Sequence, residues 1–346
     1  MESKNQHAGQ IVDQFSRQAN YFAKLPGHEE ATQLLIRMAG ISATDEVLDV
    51  ACGAGALACV AARVARQVTG IDLTPAMIER AAALQAELLL PNMAWHVGDG
   101  SRLPFPANQF DVVLTRYSLH HFLRPAEQLA EIARVCKPSG RVVVADLVLP
   151  PEKVAAYDGM ERLRDPSHVR VLTEVELGGL LTSVGLVDLR WSGYLFELEL
   201  EALLQASFPQ SGDASRVRGL IEADVGVDNL GIGARRIGGA VRFAYPIAVV
   251  AGIKSAESGR REGCPSKANY HKLIAMMEAF VSGQSRSGDF VREMEGEFAT
   301  NDLDDDERFS DLQLALAMFG AAGREQDEKM LAGECKYALR LLREET

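Results

Sequence analysis

The stretch VLDVACGAGALA, residues 47–58, constrains this chain most. Apolar residues around a single aspartate read as a strand buried on both faces, Cys52-Gly53-Ala54-Gly55 as a tight loop, and the small residues from Ala56 onward as a helix. Strand, glycine loop and helix in that order build the first turn of an open parallel sheet. The loop N–H groups and the helix N-terminus there face whatever lies above the strand ends. Gly53-Ala54-Gly55-Ala56-Leu57-Ala58 also fits the G-x-G-x-x-[GA] dinucleotide spacing, a weak motif taken alone.

The alternation continues along the chain. Strands are expected at Glu46–Ala51, Gln67–Asp72, Met93–Gly98, Phe110–Thr115 and Gly140–Asp146, with helices at 55–66, 74–89 and 125–136 between them. Thr74 is a natural N-cap with Pro75 at the first helical position, and KPSG at 137–140 closes one helix and releases the next strand. Beyond Asp146, PPEKVAAYDGMERLRDPSHVR reads as helix and turn, TEVELGGLLTSVG as a helix and VDLRWSG as a strand. Helical material then runs to about residue 222, and GGAVRFAYPIAVVAGIK forms a last strand with a bend at Pro246. The expected fold is α/β: a Rossmann-like, seven-stranded, mostly parallel sheet with helices on both faces, ending near residue 254.

Residues 255–266, SAESGRREGCPS, read as a linker. From 267 to 346 only helical periodicity is left, in runs near 268–282, 287–299, 308–321 and 325–343, which suggests a small all-α antiparallel bundle. Residues 256–346 hold 12 basic and 19 acidic side chains, so −7 of the chain's net −12 falls there.

That negative charge argues against an extended nucleic-acid-binding surface. The polar start MESKNQHAGQ has no apolar core to serve as a signal peptide. Of the two most apolar stretches, 47–66 is broken by Asp49 and glycines, and 241–253 by Arg242 and Pro246. No membrane span is expected, and a cytoplasmic setting follows. The cysteines Cys52, Cys59, Cys136, Cys264 and Cys335 form no C-x-x-C pair, which fits a reducing compartment and gives no metal signature. Cys52, inside the loop, can be read as a nucleophile or, more simply, as a small apolar residue packed behind it.

The loop alone would serve a nicotinamide dinucleotide as well as another nucleoside, with Asp72 accepting ribose hydroxyls. Three features separate the two. Asp49 precedes the loop inside its strand, where a carboxylate repels a diphosphate but attracts an amino acid's ammonium. Asp99, where GDGSRLPF follows the third strand, can accept from an adenine amino group. TRYSLHHF after the fourth strand brings Arg116, His120 and His121 near the far end of the cofactor.

VLDVACGAG, VTGIDLTPAMIERA, GDGSRLPFPANQFDVVLTRYSLHHF and RVCKPSGRVVVAD, in that order, resemble the class I S-adenosylmethionine-dependent methyltransferases, in particular the ubiquinone/menaquinone-biosynthesis group. The resemblance covers residues 14 to 254. It implies S-adenosylmethionine as cofactor, a small-molecule acceptor, and cofactor binding by Asp49, Ala51, Gly53, Gly55, Asp72, Leu73, Asp99, Gly100 and Arg116. Ala51 departs from the family pattern, which usually carries glycine there. QFSRQANYF at 14–22 is similar to the family's N-terminal segment that closes over the cofactor, so Tyr21 and Phe22 either shield the site or simply pack.

A sulfonium carries an activated methyl group, so transfer needs alignment, exclusion of water and no metal; a base is needed only for a protonated nucleophile. Candidates for that base are His120 and His121 after strand four and Asp146 at the end of strand five. RDPSHVR adds Arg164, Asp165, His168 and Arg170. Related methyltransferases carry a similar R-D-x-S-H run, and the stretch reads equally as a substrate-binding insertion or as a turn with a surface ion pair.

In the tail, NYHKLIAMMEAFVSGQSRSGDFVREMEGEFATND resembles colicin-type immunity proteins, which implies an acidic bundle able to fill a basic partner's cleft. The same tail could mediate a homodimer or cover the active site, and DLDDDERF reads more simply as a solvated loop and helix start than as a partner patch. Three expectations therefore stand together: a methyltransferase, a nicotinamide-dependent oxidoreductase, and a non-catalytic cofactor-binding protein with an immunity-like tail.

Overall fold

The centre of the sheet is β1, Glu46–Val50, whose last four residues are buried. It pairs in parallel with β2 (Gln67–Asp72) on one side and β4 (Phe110–Arg116) on the other. Coverage on both faces explains its nearly continuous apolar sequence and isolates Asp49 as a carboxylate in the core. The computed structural model describes residues 4–19, 28–256 and 271–284, together with 290–291, 293–294, 331–332, 335–336 and 339.

The chain divides into two compact units, Met1–Gly259 and Arg260–Thr346, a boundary inside the expected linker. In the second unit a helix runs over His271–Ser282, in which Met276, Met277 and Phe280 are buried. Most of the expected bundle at 267–346, with its suggested protein-partner and dimer roles, lies outside the described residues. Tyr21 and Phe22 do too.

The first unit opens with α1 (Lys4–Gln18) and α2 (His28–Ala39). Then β1, α3 (Ala56–Ala62), β2, α4 (Pro75–Glu87), β3 (Met93–Val97), β4, α5 (Pro125–Val135) and β5 (Cys136–Leu147) alternate. After α6 (Pro151–Arg164) and α7 (Glu174–Ser183) come β6 (Leu186–Glu199), α8 (Leu200–Ser207), α9 (Asp213–Ala223), β7 (Arg235–Ile237) and β8 (Ala240–Lys254). The strand order is β3-β2-β1-β4-β5-β8-β6. Strands β1 to β5 are parallel, whereas β8 runs antiparallel to both β5 and β6.

Seven strands make this path, as expected, and β7 is an eighth that the sequence reading missed. It is three residues long and pairs with β8 across Gly238-Gly239, two glycines at positive φ that form a hairpin turn. A second correction concerns KPSG, expected as a connector. The segment extends β5 at its start, with Cys136 opposite Phe110 and a bulge before Arg141 pairs with Val112. Pro246 interrupts nothing, because β8 continues through it.

Order in the sheet reverses between β1 and β4, so the loops leaving those two strands diverge and open a crevice at their C-terminal ends. One apolar cluster, including Val47, Leu114, Val143 and Phe243, covers one face of the sheet; another, including Leu48, Val113, Leu129 and Val144, covers the other. The crevice thus stands on a doubly packed and rigid base.

Candidate active site

The first βα loop rests on two backbone solutions. Gly53 and Gly55 have φ of 52° and 81°, and Ala51 takes φ 55°, a conformation that strains a residue with a β-carbon. Gly55 is needed for space as well. A β-carbon there would lie 2.7 Å from Trp95 Cη2 and 2.9 Å from Ala81 Cβ, so only glycine lets α3 pack this close to β3 and α4. The loop is fixed from β2: Asp72 Oδ2 accepts from Gly53 N (2.8 Å) and Oδ1 from Thr74 N (2.8 Å).

Above this loop lies a cavity of ≈240 Å³. It is lined by Asp49, Ala51 and Gly53 from the first turn, Asp72 and Leu73 from the second, Asp99 and Gly100 from the third, and Arg116 after β4. Eight of the nine expected cofactor residues therefore meet at one surface. Gly55 does not line it. The sequence reading placed that glycine against the cofactor, but its close approach is to Trp95 and Ala81, behind the loop.

Asp49 is 1% exposed, and its Oδ2 has no hydrogen-bond partner among the described residues. Burial above all, with a contribution from Asp72 and against the opposing field of Arg116, raises its pKa to about 7. A diphosphate beside it would be repelled, whereas a cationic group would satisfy both its charge and its unused oxygen. This is the reverse of a nicotinamide-dinucleotide loop. Asp72 is also raised by burial, held back by its two backbone donors. Its oxygens keep further lone pairs for a diol. Asp99 is exposed on the rim, bonded to Ser101 N (2.8 Å) and Ser101 Oγ (2.9 Å). Arg116 is held by Thr32 Oγ1 (2.9 Å) and lies 5.3 Å from the centroid of the Tyr117 ring. Cys52 also lines the cavity, but burial drives its thiol pKa well up, so it is a packed thiol and not an activated nucleophile.

The two histidines after β4 separate into different environments. His120 Nδ1 lies 2.5 Å from Asp146 Oδ1. Asp146 is buried at the end of β5, where its Oδ2 accepts from Ser118 N (3.1 Å) and Leu119 N (2.7 Å). Burial alone would raise this carboxyl, yet His120 and the backbone donors prevail and lower it. For His120 burial lowers the pKa, but the charge and hydrogen bond of Asp146 outweigh it, and the net shift is upward. His121 is pushed down to about 3 by burial and then by His120. Its Nδ1 lies 3.1 Å from both Ser167 O and Ser167 Oγ, and it lines the cavity as a neutral ring.

His168, the fourth expected catalytic residue, lines neither described cavity. Its Nε2 is 2.7 Å from Asp158 Oδ1, which also accepts from Val171 N, so it fixes the RDPSHVR turn. That turn is half buried machinery and half surface. Arg164 is buried, with Nε 2.9 Å from both oxygens of Glu161, whereas Arg170 is an exposed partner of Glu176.

Sequence reasoning expected a covering segment at 14–22 but missed how the rest of α1 meets the site. His7 Nε2 lies 2.7 Å from His121 O, Gln14 Nε2 donates to Ser207 O (2.5 Å), and the Phe15 ring meets His121 edge-on at 5.1 Å. Phe15, inside the quoted QFSRQANYF, is the aromatic over the site; its apolar spacing with Ile11 along one helix face was the available signal. Tyr117 was missed as well. It has φ 56°, unusual for a bulky residue, and such strain concentrates at functional positions.

Residues 48–144 match the family model described as methyltransferase domain. Over this segment the chain is similar to a methyltransferase domain. YcgJ of Bacillus subtilis (strain 168), described as an uncharacterized methyltransferase, is 34% identical over 160 residues, covering 45% of this chain and 63% of that one. Demethylmenaquinone methyltransferase of Tropheryma whipplei (strain Twist) is 37% identical over 121 residues, covering 35% and 49%. The chain thus spans about half to just under two thirds of the length of these two curated relatives. The crystal structure of YcgJ superposes with a TM-score of 0.61 at 24% identity, over 66% of this chain and 99% of that one, which supports the fold of the domain. No helix among the described residues is long and apolar enough to cross a membrane.

Proposed function

We propose that this chain transfers a methyl group from S-adenosylmethionine to a small-molecule acceptor by in-line displacement. The observation that carries the reading is the buried, unsatisfied Asp49 carboxylate on the floor of a cavity rimmed by Asp72 and Asp99. Bound there, S-adenosylmethionine would supply a methyl group already activated on a sulfonium.

In this reading Asp49 receives the α-ammonium and Arg116 the carboxylate of the amino-acid end, over the Ala51–Gly53 backbone. Asp72 and Leu73 take the ribose, and Asp99 with Gly100 the adenine edge. Gly55 acts through packing. Phe15 and the rest of α1 exclude water from above, which lets positioning supply most of the rate. His120, held by Asp146, takes a proton from an acceptor that arrives protonated, while neutral His121 is wall. His168 orients the RDPSHVR turn. The free thiols of Cys52, Cys59 and Cys136 agree with a cytoplasmic setting.

Calorimetric titration with S-adenosylhomocysteine tests the reading. Wild type is expected to bind and Asp72→Ala to bind at least tenfold more weakly. Absence of binding to wild type refutes it.

A further inference from the structure

Along the described part of α2 the buried residues are Ala31, Thr32, Leu35 and Ala39, at the spacing of one helix face. Leu35 and Ala39 join Val47 and Leu114 in one apolar cluster against the sheet. Thr32 is the polar member of that stripe, 4% exposed, and a buried hydroxyl requires a partner. Its Oγ1 accepts from Arg116 Nη1 at 2.9 Å. We propose that Thr32 is a positioning residue for cofactor recognition: it pins the Arg116 guanidinium away from Asp49, and so keeps open a gap between opposite charges that takes the zwitterionic end of S-adenosylmethionine. The inference rests on the methyltransferase reading and adds to it the residue that spaces those two charges.

Unrestrained, the two charges would close on each other. β1 and β4 pair with Asp49 opposite Leu114, so Arg116, two residues further on, projects from the same face as the diagonal neighbour of Asp49. The carboxylate is 1% exposed, keeps an unused oxygen and feels the field of the guanidinium. Little water screens such a pair, so the attraction is strong. Yet no ion pair joins them among the described residues, and both line the cavity. Two contacts hold the guanidinium off. One is the Thr32 hydroxyl, anchored in the packed stripe of α2; the other is the Tyr117 ring, whose centroid lies 5.3 Å from Arg116 Cζ. That ring is itself fixed, by φ 56° and by a 2.5 Å contact between the Tyr117 and Tyr194 hydroxyls. It lines both the cofactor cavity and a smaller one of ≈80 Å³ on the β5–β8 side.

Held apart, the two groups each meet one end of an amino acid, Asp49 the α-ammonium and Arg116 the α-carboxylate. Collapsed together they satisfy each other, and a ligand must break an ion pair before it binds. Thr32 is not among the residues lining the cavity, so it sets affinity through Arg116 without touching the ligand. Its loss also has an electrostatic signature. A guanidinium resting on Asp49 keeps that carboxyl ionised to lower pH. The other groups facing it are Asp72, the Cys52 and Cys59 thiols and the Ala58 N–H at the start of α3, and the substitution leaves all of them in place.

The test is calorimetry on the full chain with three probes: S-adenosylhomocysteine, its decarboxylated analogue S-adenosyl-3-thiopropylamine, and 5′-methylthioadenosine, which lacks the amino-acid end. If S-adenosylhomocysteine does not bind wild type, the methyltransferase reading fails and the present inference falls with it. Thr32→Val keeps the side-chain shape and removes the acceptor. It is expected to weaken S-adenosylhomocysteine and the thiopropylamine at least tenfold each, while methylthioadenosine changes less than twofold. Thr32→Ser, which keeps the hydroxyl, is expected to restore both to within threefold of wild type. Equal weakening of all three probes marks Thr32 as structural and overturns the inference, as does a Thr32→Ser as weak as Thr32→Val. Weakening of S-adenosylhomocysteine alone overturns the spacing role, because Asp49 then remains open to an ammonium. Added to Arg116→Gln, Thr32→Val is expected to change affinity less than twofold; a full additional loss overturns action through Arg116. In wild type the affinity for S-adenosylhomocysteine should fall ~100-fold from pH 8 to pH 5, as Asp49 protonates. In Thr32→Val that fall is expected to shrink below ~10-fold, and an unchanged profile overturns the inference. Should Thr32→Val fail to fold, Thr32→Ala carries the same expectations.

Discussion

In the proposed reading, Asp49 should make cofactor affinity a function of pH. Its carboxyl titrates at about 7 because it is buried with an unused oxygen. An ammonium bound against it would return its pKa toward the ordinary carboxylate value of ~3.9. Only the ionised form then binds well, so log Kd for S-adenosylhomocysteine should rise with a slope near one per pH unit below 7. Between pH 8 and pH 5 that is about 100-fold, or ~2.7 kcal/mol. At pH 6 each binding event should release ~0.9 proton, since about nine tenths of the free sites are protonated there. The assay is calorimetry across pH 5–8 in buffers of different ionisation enthalpy, so that the released proton is counted directly. Asp49→Asn should be weaker at pH 8 on the order of 100-fold and nearly flat below it. A small slope surviving in the variant belongs to Asp72, whose carboxyl is also raised by burial. A flat wild-type profile, or the same slope in Asp49→Asn, refutes the placement of a cation on this carboxylate.

Further outcomes follow from the geometry. The pH–rate profile of kcat/KM should rise on the alkaline side with a midpoint above the ordinary histidine value of ~6.5, because the base must be neutral and Asp146 raises His120 over the opposing effect of burial. The other groups around that ring are His121, whose ring centroid lies 4.2 Å away, His168 at 5.6 Å, Glu161 and Asp165, with Arg164, Tyr157 and Tyr245 lining the same cavity. Asp146→Asn should lower the midpoint and the rate together; an unmoved midpoint refutes the pairing. The same pair contributes stability only in a window. The His120 contribution is full below its unfolded pKa and lost as pH rises through the higher folded value, while that of Asp146 is full above its unfolded pKa and lost as pH falls through the lower folded one. Gly55→Ala should cost ~3 kcal/mol of stability, from a clash with Trp95 and Ala81 and from left-handed strain at φ 81°, as read by urea denaturation. A variant as stable as wild type refutes the packing role.

By itself the sequence determined what is local and periodic. Short, nearly continuous apolar runs and the Thr74-Pro75 helix start specify the alternating α/β unit, and one carboxylate falls at or just past the end of each of the first three strands. Each of those signals lies within a few residues of the backbone feature it serves. Tertiary structure decided how those groups are charged and which of them meet. His120 and Asp146 are 26 residues apart, and only parallel pairing of β4 with β5 joins them. Phe15 and Ile247 line one chamber from opposite ends of the domain. Adjacent His120 and His121 carry no local mark of their opposite shifts, because burial and long-range partners set them. β7 escaped for a related reason: three residues hold no period, and its pairing with β8 alone makes it a strand. Spacing along the chain fixes which faces can pack; solvation and charge depend on everything packed around a group, and only the folded chain supplies that.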